Sequence, residues 1–231
     1  MGETVEFASN GNTASGYLAP SSSGSGPGVL VIQEWWGLVP QIKEVCDRLA
    51  SEGFTALAPD LYHGDIAEHT EMDKAGQLMS SLPPDRAARD MAGAIDFLLG
   101  HDSVSGNAVG VVGFCMGGML TWVIAALQGD KVAAGVPFYG APLDPNSAPD
   151  WNGLTAPLLV HAAENDDFFP PGAINDLAAQ LREKGKDVAV EVYTGTGHAF
   201  ANEHDALNTY DAEAANLAWS RTLTFLRSHL G

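Results

Sequence analysis

Short apolar, β-branched runs alternate with segments of helical periodicity along most of this chain, and that alternation limits its fold more than any other feature. "GVLVIQ" (28–33) reads as a buried strand, and "PQIKEVCDRLASEG" (40–53) carries apolar residues at helical spacing and closes on Gly53. "FTALAPD" (54–60) predicts a second buried strand. "PPDRAARDMAGAIDFLLG" (83–100) opens on prolines and ends in glycine, the asymmetry expected of a helix. "AVGVVGF" (108–114), "VAAGVPFY" (132–139), "PLLVHAAE" (157–164) and "DVAVEVYTG" (187–195) continue the strands, while 116–129, 171–185 and the tail 208–230 continue the helices. Parallel strands need a crossover of about a dozen residues, which helices supply. The pattern predicts an α/β fold with a mainly parallel sheet and helices on both faces. "SSSGSGPG" (21–28), between strand-like stretches, reads as the loop of an amino-terminal hairpin. At 231 residues the chain suits one well-buried domain spanning 1–231.

Composition removes several function classes. Eleven Lys and Arg against 29 Asp and Glu give a formal charge of −18, which repels phosphate backbones and anionic membrane surfaces alike. Neither nucleic acid nor membrane is expected as a partner. Cys46 and Cys115 are the two cysteines, with no CxxC pair, so neither a disulfide framework nor a cysteine-rich zinc site is supported. His63, Asp65 and His69 in "HGDIAEH" have a spacing that arises by chance, and no metal or other cofactor is expected. "MGETVEF" lacks a basic segment followed by an apolar one, and no stretch approaches eighteen apolar residues, so the expected location is cytoplasmic.

In an open parallel sheet, ligands gather at the carboxyl ends of the strands. The residues just after the predicted strands include Glu34, Cys115, Asp166 and His198. Cys115 sits in "VGFCMGG" with glycines two places before and two places after it, which permits the strained strand-to-helix turn that presents a nucleophile. The chain order nucleophile, acid, histidine is that of α/β-hydrolases. His198, in "GTGHAF", has no packing duty to explain it and suits a base. Asp166 competes with Glu164 and Asp167 for the role of acid and is favoured by its place just beyond the strand. Cys46 and His161 read as core residues. Trp35 and Trp36 in "QEWWG" fit either a core or a pocket wall.

"QEWWG", "APDLY", "GFCMGG", "ENDDF" and "GHAF" together resemble the dienelactone hydrolase family of α/β-hydrolases, over nearly the whole chain from about Gly28. The resemblance implies a hydrolase for a small ester or lactone, in which Cys115 attacks the carbonyl with support from His198 and Asp166. It also implies that Glu34 pairs with the resting thiol and that the backbone N–H groups of Met116 and Trp35 form the oxyanion hole. An ordinary thiol is only a few per cent thiolate at neutral pH, so a proton acceptor is required. The family's arginine four residues after the histidine is replaced here by Asn202, and Met72 stands where another is expected, with Lys74 the nearby cation. A carboxylated dienelactone is therefore not the expected substrate. Trp36, Phe168 and Asn202 are the candidate substrate contacts, and the assembly expected is a monomer or small homo-oligomer. The rival readings are a thiol redox protein and a non-catalytic binding domain on the same fold.

Overall fold

The chain begins with an antiparallel hairpin, β1 (Glu3–Ser9) against β2 (Asn12–Ala19), in which Phe7 and Leu18 turn inward and Glu3, Glu6 and Thr13 turn out. β3 (Gly26–Ile32) follows, with Val29, Leu30, Val31 and Ile32 fully buried, as a strand covered on both faces requires. α1 (Pro40–Ser51) starts on a proline at its first turn and buries Ile42, Val45, Cys46 and Leu49. β4 (Thr55–Pro59) runs parallel to β3 and antiparallel to β2, giving the order β1-β2-β4-β3. α2 (Met72–Ser81) buries only Ala75, whereas α3 (Pro84–Leu99) buries Ala87, Met91, Ala94, Ile95 and Leu98 at helical spacing. α1 and α3 both pack on β3 and β4.

β5 (Val104–Phe114) precedes α4 (Met116–Gln128), β6 (Val132–Phe138), β7 (Leu158–Asn165), α5 (Pro171–Glu183), β8 (Val188–Gly197) and α6 (Ala212–Leu230). β6, β7 and β8 are neighbours and all parallel. α4 and α6 pack on β6, and α5 packs on β7 and β8. This computed structural model describes residues 2–9 and 11–231, which form two compact units, Met1–Gly110 and Val111–Gly231. Strands and helices alternate as the sequence predicts. "SSSGSGPG" is a correction: it joins β2 to β3, which are not neighbours, while the hairpin turn falls earlier, between Ser9 and Asn12. Among the described residues no helix is long and apolar enough to cross a membrane.

Candidate functional site

Three side chains of the second unit each follow a strand directly: Cys115 after β5, Asp166 after β7 and His198 after β8. Cys115 is the residue between β5 and α4 and has φ 54° and ψ −115°, a conformation that non-glycine residues adopt only where the surroundings enforce it. Its N–H donates to the carbonyl of Phe138 (3.1 Å), and its own carbonyl accepts from the N–H of Met119 (3.1 Å). The turn closes so tightly that a side chain on Gly140 would strike the carbonyl of Cys115, and one on Gly113 would strike that of Gly117. The amino terminus of α4 begins at Met116, so its positive dipole end lies beside the thiol and favours negative charge there.

Asp166 is buried and divides its carboxylate between two tasks. Oδ1 accepts from the N–H groups of Phe168 and Phe169 (both 2.9 Å), and Oδ2 accepts from Nδ1–H of His198 (2.8 Å). His198 also hydrogen-bonds Cys115, so the three side chains form one series. Glu164, the competing acid, instead accepts from the N–H of Gly195 (2.8 Å). Burial works to lower the pKa of His198, but the hydrogen bonds to Asp166 and Cys115 and their negative charge outweigh it and push it up to about 10. The imidazole therefore keeps a proton when it sits between a thiolate and a carboxylate.

Aromatic rings enclose that imidazole: Phe169 stacks on it (centroids 5.8 Å), Phe168 lies tilted at 4.9 Å, and Tyr139 meets it edge-on at 5.2 Å. Phe168 is 60% exposed, Tyr139 fully buried. The loop after His198 is fixed by the Thr209 hydroxyl, which donates to the His198 carbonyl (2.5 Å), and by Asp205 Oδ1, which accepts from the N–H groups of Thr209 and Tyr210. Tyr139 and Thr209 escape a reading of the sequence. For Tyr139 the available signal was a bulky residue followed by glycine directly after an apolar strand.

The remaining candidates are placed as follows. Glu34 is buried two residues beyond β3. Trp35 is half-exposed and its carbonyl accepts from the Tyr62 hydroxyl (3.2 Å), whereas Trp36 is buried between Trp35 and His69, in ring contact with both. Asn202 is also buried, its Oδ1 accepting from the N–H of His204 (3.0 Å), so it shapes the histidine loop. Met116 opens α4 and is buried. His63 pairs with Asp90 (2.7 Å), and among the described residues no three or more His, Cys, Asp or Glu side chains are grouped to hold a metal ion. Cys46 is fully buried in α1, where burial and then the charge of Asp47 push its thiol pKa up. His161 is buried with both ring nitrogens bonded, to Tyr193 (2.8 Å) and Thr222 (2.9 Å).

A mainly parallel α/β sheet with a cysteine at a strained strand-to-helix turn, bonded to a histidine that a carboxylate holds, defines the α/β-hydrolase class. The dienelactone hydrolase family model matches residues 14–230, and the chain belongs to that family of hydrolases. The chain is 41% identical over 236 residues to Protein usf of Aquifex pyrophilus, and 38% identical over 237 residues to an Aquifex aeolicus protein bearing the name carboxymethylenebutenolidase; each alignment covers 100% of both chains. Among solved structures, a Klebsiella pneumoniae protein named as a dienelactone hydrolase superposes with a TM-score of 0.82 at 27% identity, covering 98% of this chain and 99% of that one.

Proposed function

We propose that the chain hydrolyses a small ester or lactone through a thioester on Cys115, with His198 and Asp166 as base and acid. The hydrogen-bonded series Cys115–His198–Asp166 carries this reading. His198 accepts the proton of the thiol as the sulfur attacks the carbonyl carbon. The resulting oxyanion is received by the backbone N–H groups of Met116 and Trp35. As the carbonyl reforms, the bond to the leaving oxygen breaks and that oxygen takes the proton from His198. Acylation uncharges the sulfur, which removes two of the influences holding a proton on His198. The neutral imidazole can then take a proton from water, and the hydroxide so formed cleaves the thioester, releases the acid and restores the starting pair.

Glu34 is assigned control of the resting protonation of Cys115, the role the family resemblance gives it, because a carboxylate brought near a thiol would oppose thiolate by like-charge repulsion. Phe168 is the favoured substrate contact, being apolar, exposed and against His198. A single cytoplasmic domain over 1–231, acting as a monomer or small homo-oligomer, remains the accompanying proposal; the family match over 14–230 supports the single domain. The test is mass spectrometry after brief exposure to a panel of esters and lactones, beside assays of Cys115→Ala. An acyl adduct on Cys115 and loss of turnover in the variant are expected. Undiminished turnover by Cys115→Ala would end the reading.

A further inference from the structure

We propose that Tyr139 is a positioning residue for His198, its ring fixing the plane of the imidazole so that the nitrogen not bound to Asp166 faces Cys115. This rests on the proposed triad and goes beyond it, to a residue that is not one of its three members. Its backbone has φ 36°, an outlier for a bulky aromatic residue, yet the side chain has no exposed surface. Such strain persists where surrounding contacts over-determine it, and here they are identifiable. The N–H of Tyr139 donates to the carbonyl of His161 (2.7 Å), the carbonyl of Phe138 before it accepts from Cys115, and Gly140 after it packs against the Cys115 carbonyl. Three successive residues thus belong to the cysteine turn, and the middle one is twisted so that its ring reaches the histidine.

The ring contact itself is directional. Tyr139 meets His198 at an interplanar angle of 68°, an edge-to-face arrangement, and is backed by Phe200 at 5.6 Å and 70°. Asp166 fixes one nitrogen of the imidazole but leaves rotation about the Nδ1–Oδ2 line, and rings on its flanks remove that freedom. Phe168 is mostly exposed, whereas Tyr139 is fully buried, so Tyr139 is the stationary wall. Misplacement of a catalytic group by about an ångström costs up to about a hundredfold in rate, which is the scale on which this contact acts.

The test uses Tyr139→Phe, which keeps the ring, and Tyr139→Asn, which removes it while tolerating positive φ better than most residues. Tyr139→Asn is expected to fold, to lose roughly tenfold to a hundredfold in kcat with little change in KM, and to shift the pH profile of Cys115 alkylation. Tyr139→Phe should restore all three to near wild type. A second readout independent of turnover is the 15N NMR signature of His198, expected to broaden or report mixed tautomers in Tyr139→Asn alone. If Tyr139→Asn keeps the wild-type kcat, alkylation profile and His198 signals, the positioning role is wrong. Equal damage in both variants would place the effect in the hydroxyl and overturn it too. Failure of the hydrolase reading would appear separately, as turnover by Cys115→Ala, and leaves the NMR comparison decisive for Tyr139.

Discussion

His198 and His161 are both buried histidines, and their surroundings push them in opposite directions. For His161, burial and then the charge of Arg221 lower the pKa from 6.5 to about 3, so the folded protein keeps it neutral. The unfolded chain takes up that proton below about pH 6.5. Its contribution is therefore present above pH 6.5 and is lost as pH falls towards 3, by at most about 1.4 kcal/mol per pH unit. His198, raised to about 10, contributes fully below pH 6.5 and loses its share as pH rises through 10. Urea midpoints at pH 7 and pH 5 should differ less in His161→Gln than in wild type; equal differences would assign the acid sensitivity to other groups. In the site itself, His198→Ala and Asp166→Ala should each remove most activity, and the double variant little more than the worse single one, because the pair acts as a unit. Additive losses would mean that a different carboxylate supports the histidine. Glu34→Gln should alter the pH dependence of Cys115 alkylation in the free enzyme, and an unaltered profile would remove Glu34 from that role.

At the scale of elements, what the sequence reveals is whatever buries a periodic face. β3 and β4 read as strands because nearly every residue in them is buried, and α3 reads as a helix because Ala87, Met91, Ala94, Ile95 and Leu98 mark one stripe. α2 leaves no such mark: Ala75 is its single buried residue, Met72 and Met79 lie exposed, and no side chain caps its amino terminus. The cysteine turn is legible through its glycine spacing, while the role of Tyr139 depends on a backbone angle that composition does not encode. Two glycines make the contrast measurable. A methyl on Gly76, in α2, would meet no neighbour, so Gly76→Ala should stabilise by about 0.5–1 kcal/mol through helix propensity. A methyl on Gly140 would strike the Cys115 carbonyl, so Gly140→Ala should lower both the denaturation midpoint and the activity. If Gly140→Ala matched wild type in both measurements, the close packing of the turn would have no functional weight.

Across the whole molecule the formal charge of −18 sets the background field. Salt screens like-charge repulsion, so the melting temperature should rise between low and moderate ionic strength. A flat response would show that the carboxylates are already locally compensated. The same field bears on substrate choice. Desolvating a carboxylate without a fixed cation costs several kcal/mol; Asn202 brings no charge, and Lys74 is half-exposed and paired with Glu71 at 3.6 Å. Neutral short-chain esters or lactones are thus expected to exceed carboxylated analogues in kcat/KM. Matched pairs differing only in that group decide it, and preference for the charged member would mean that a cation rebuilds an anion site.

The divided carboxylate of Asp166 gives the hydrogen-bond series a direction, as a one-way valve has. An amide at position 166 would still offer its oxygen to the N–H groups of Phe168 and Phe169, but its NH2 would donate to Nδ1 of His198. The imidazole proton would then be forced onto the far nitrogen, which faces the sulfur as a donor and can accept nothing. Asp166→Asn would thus leave the loop standing and block the passage of protons through it.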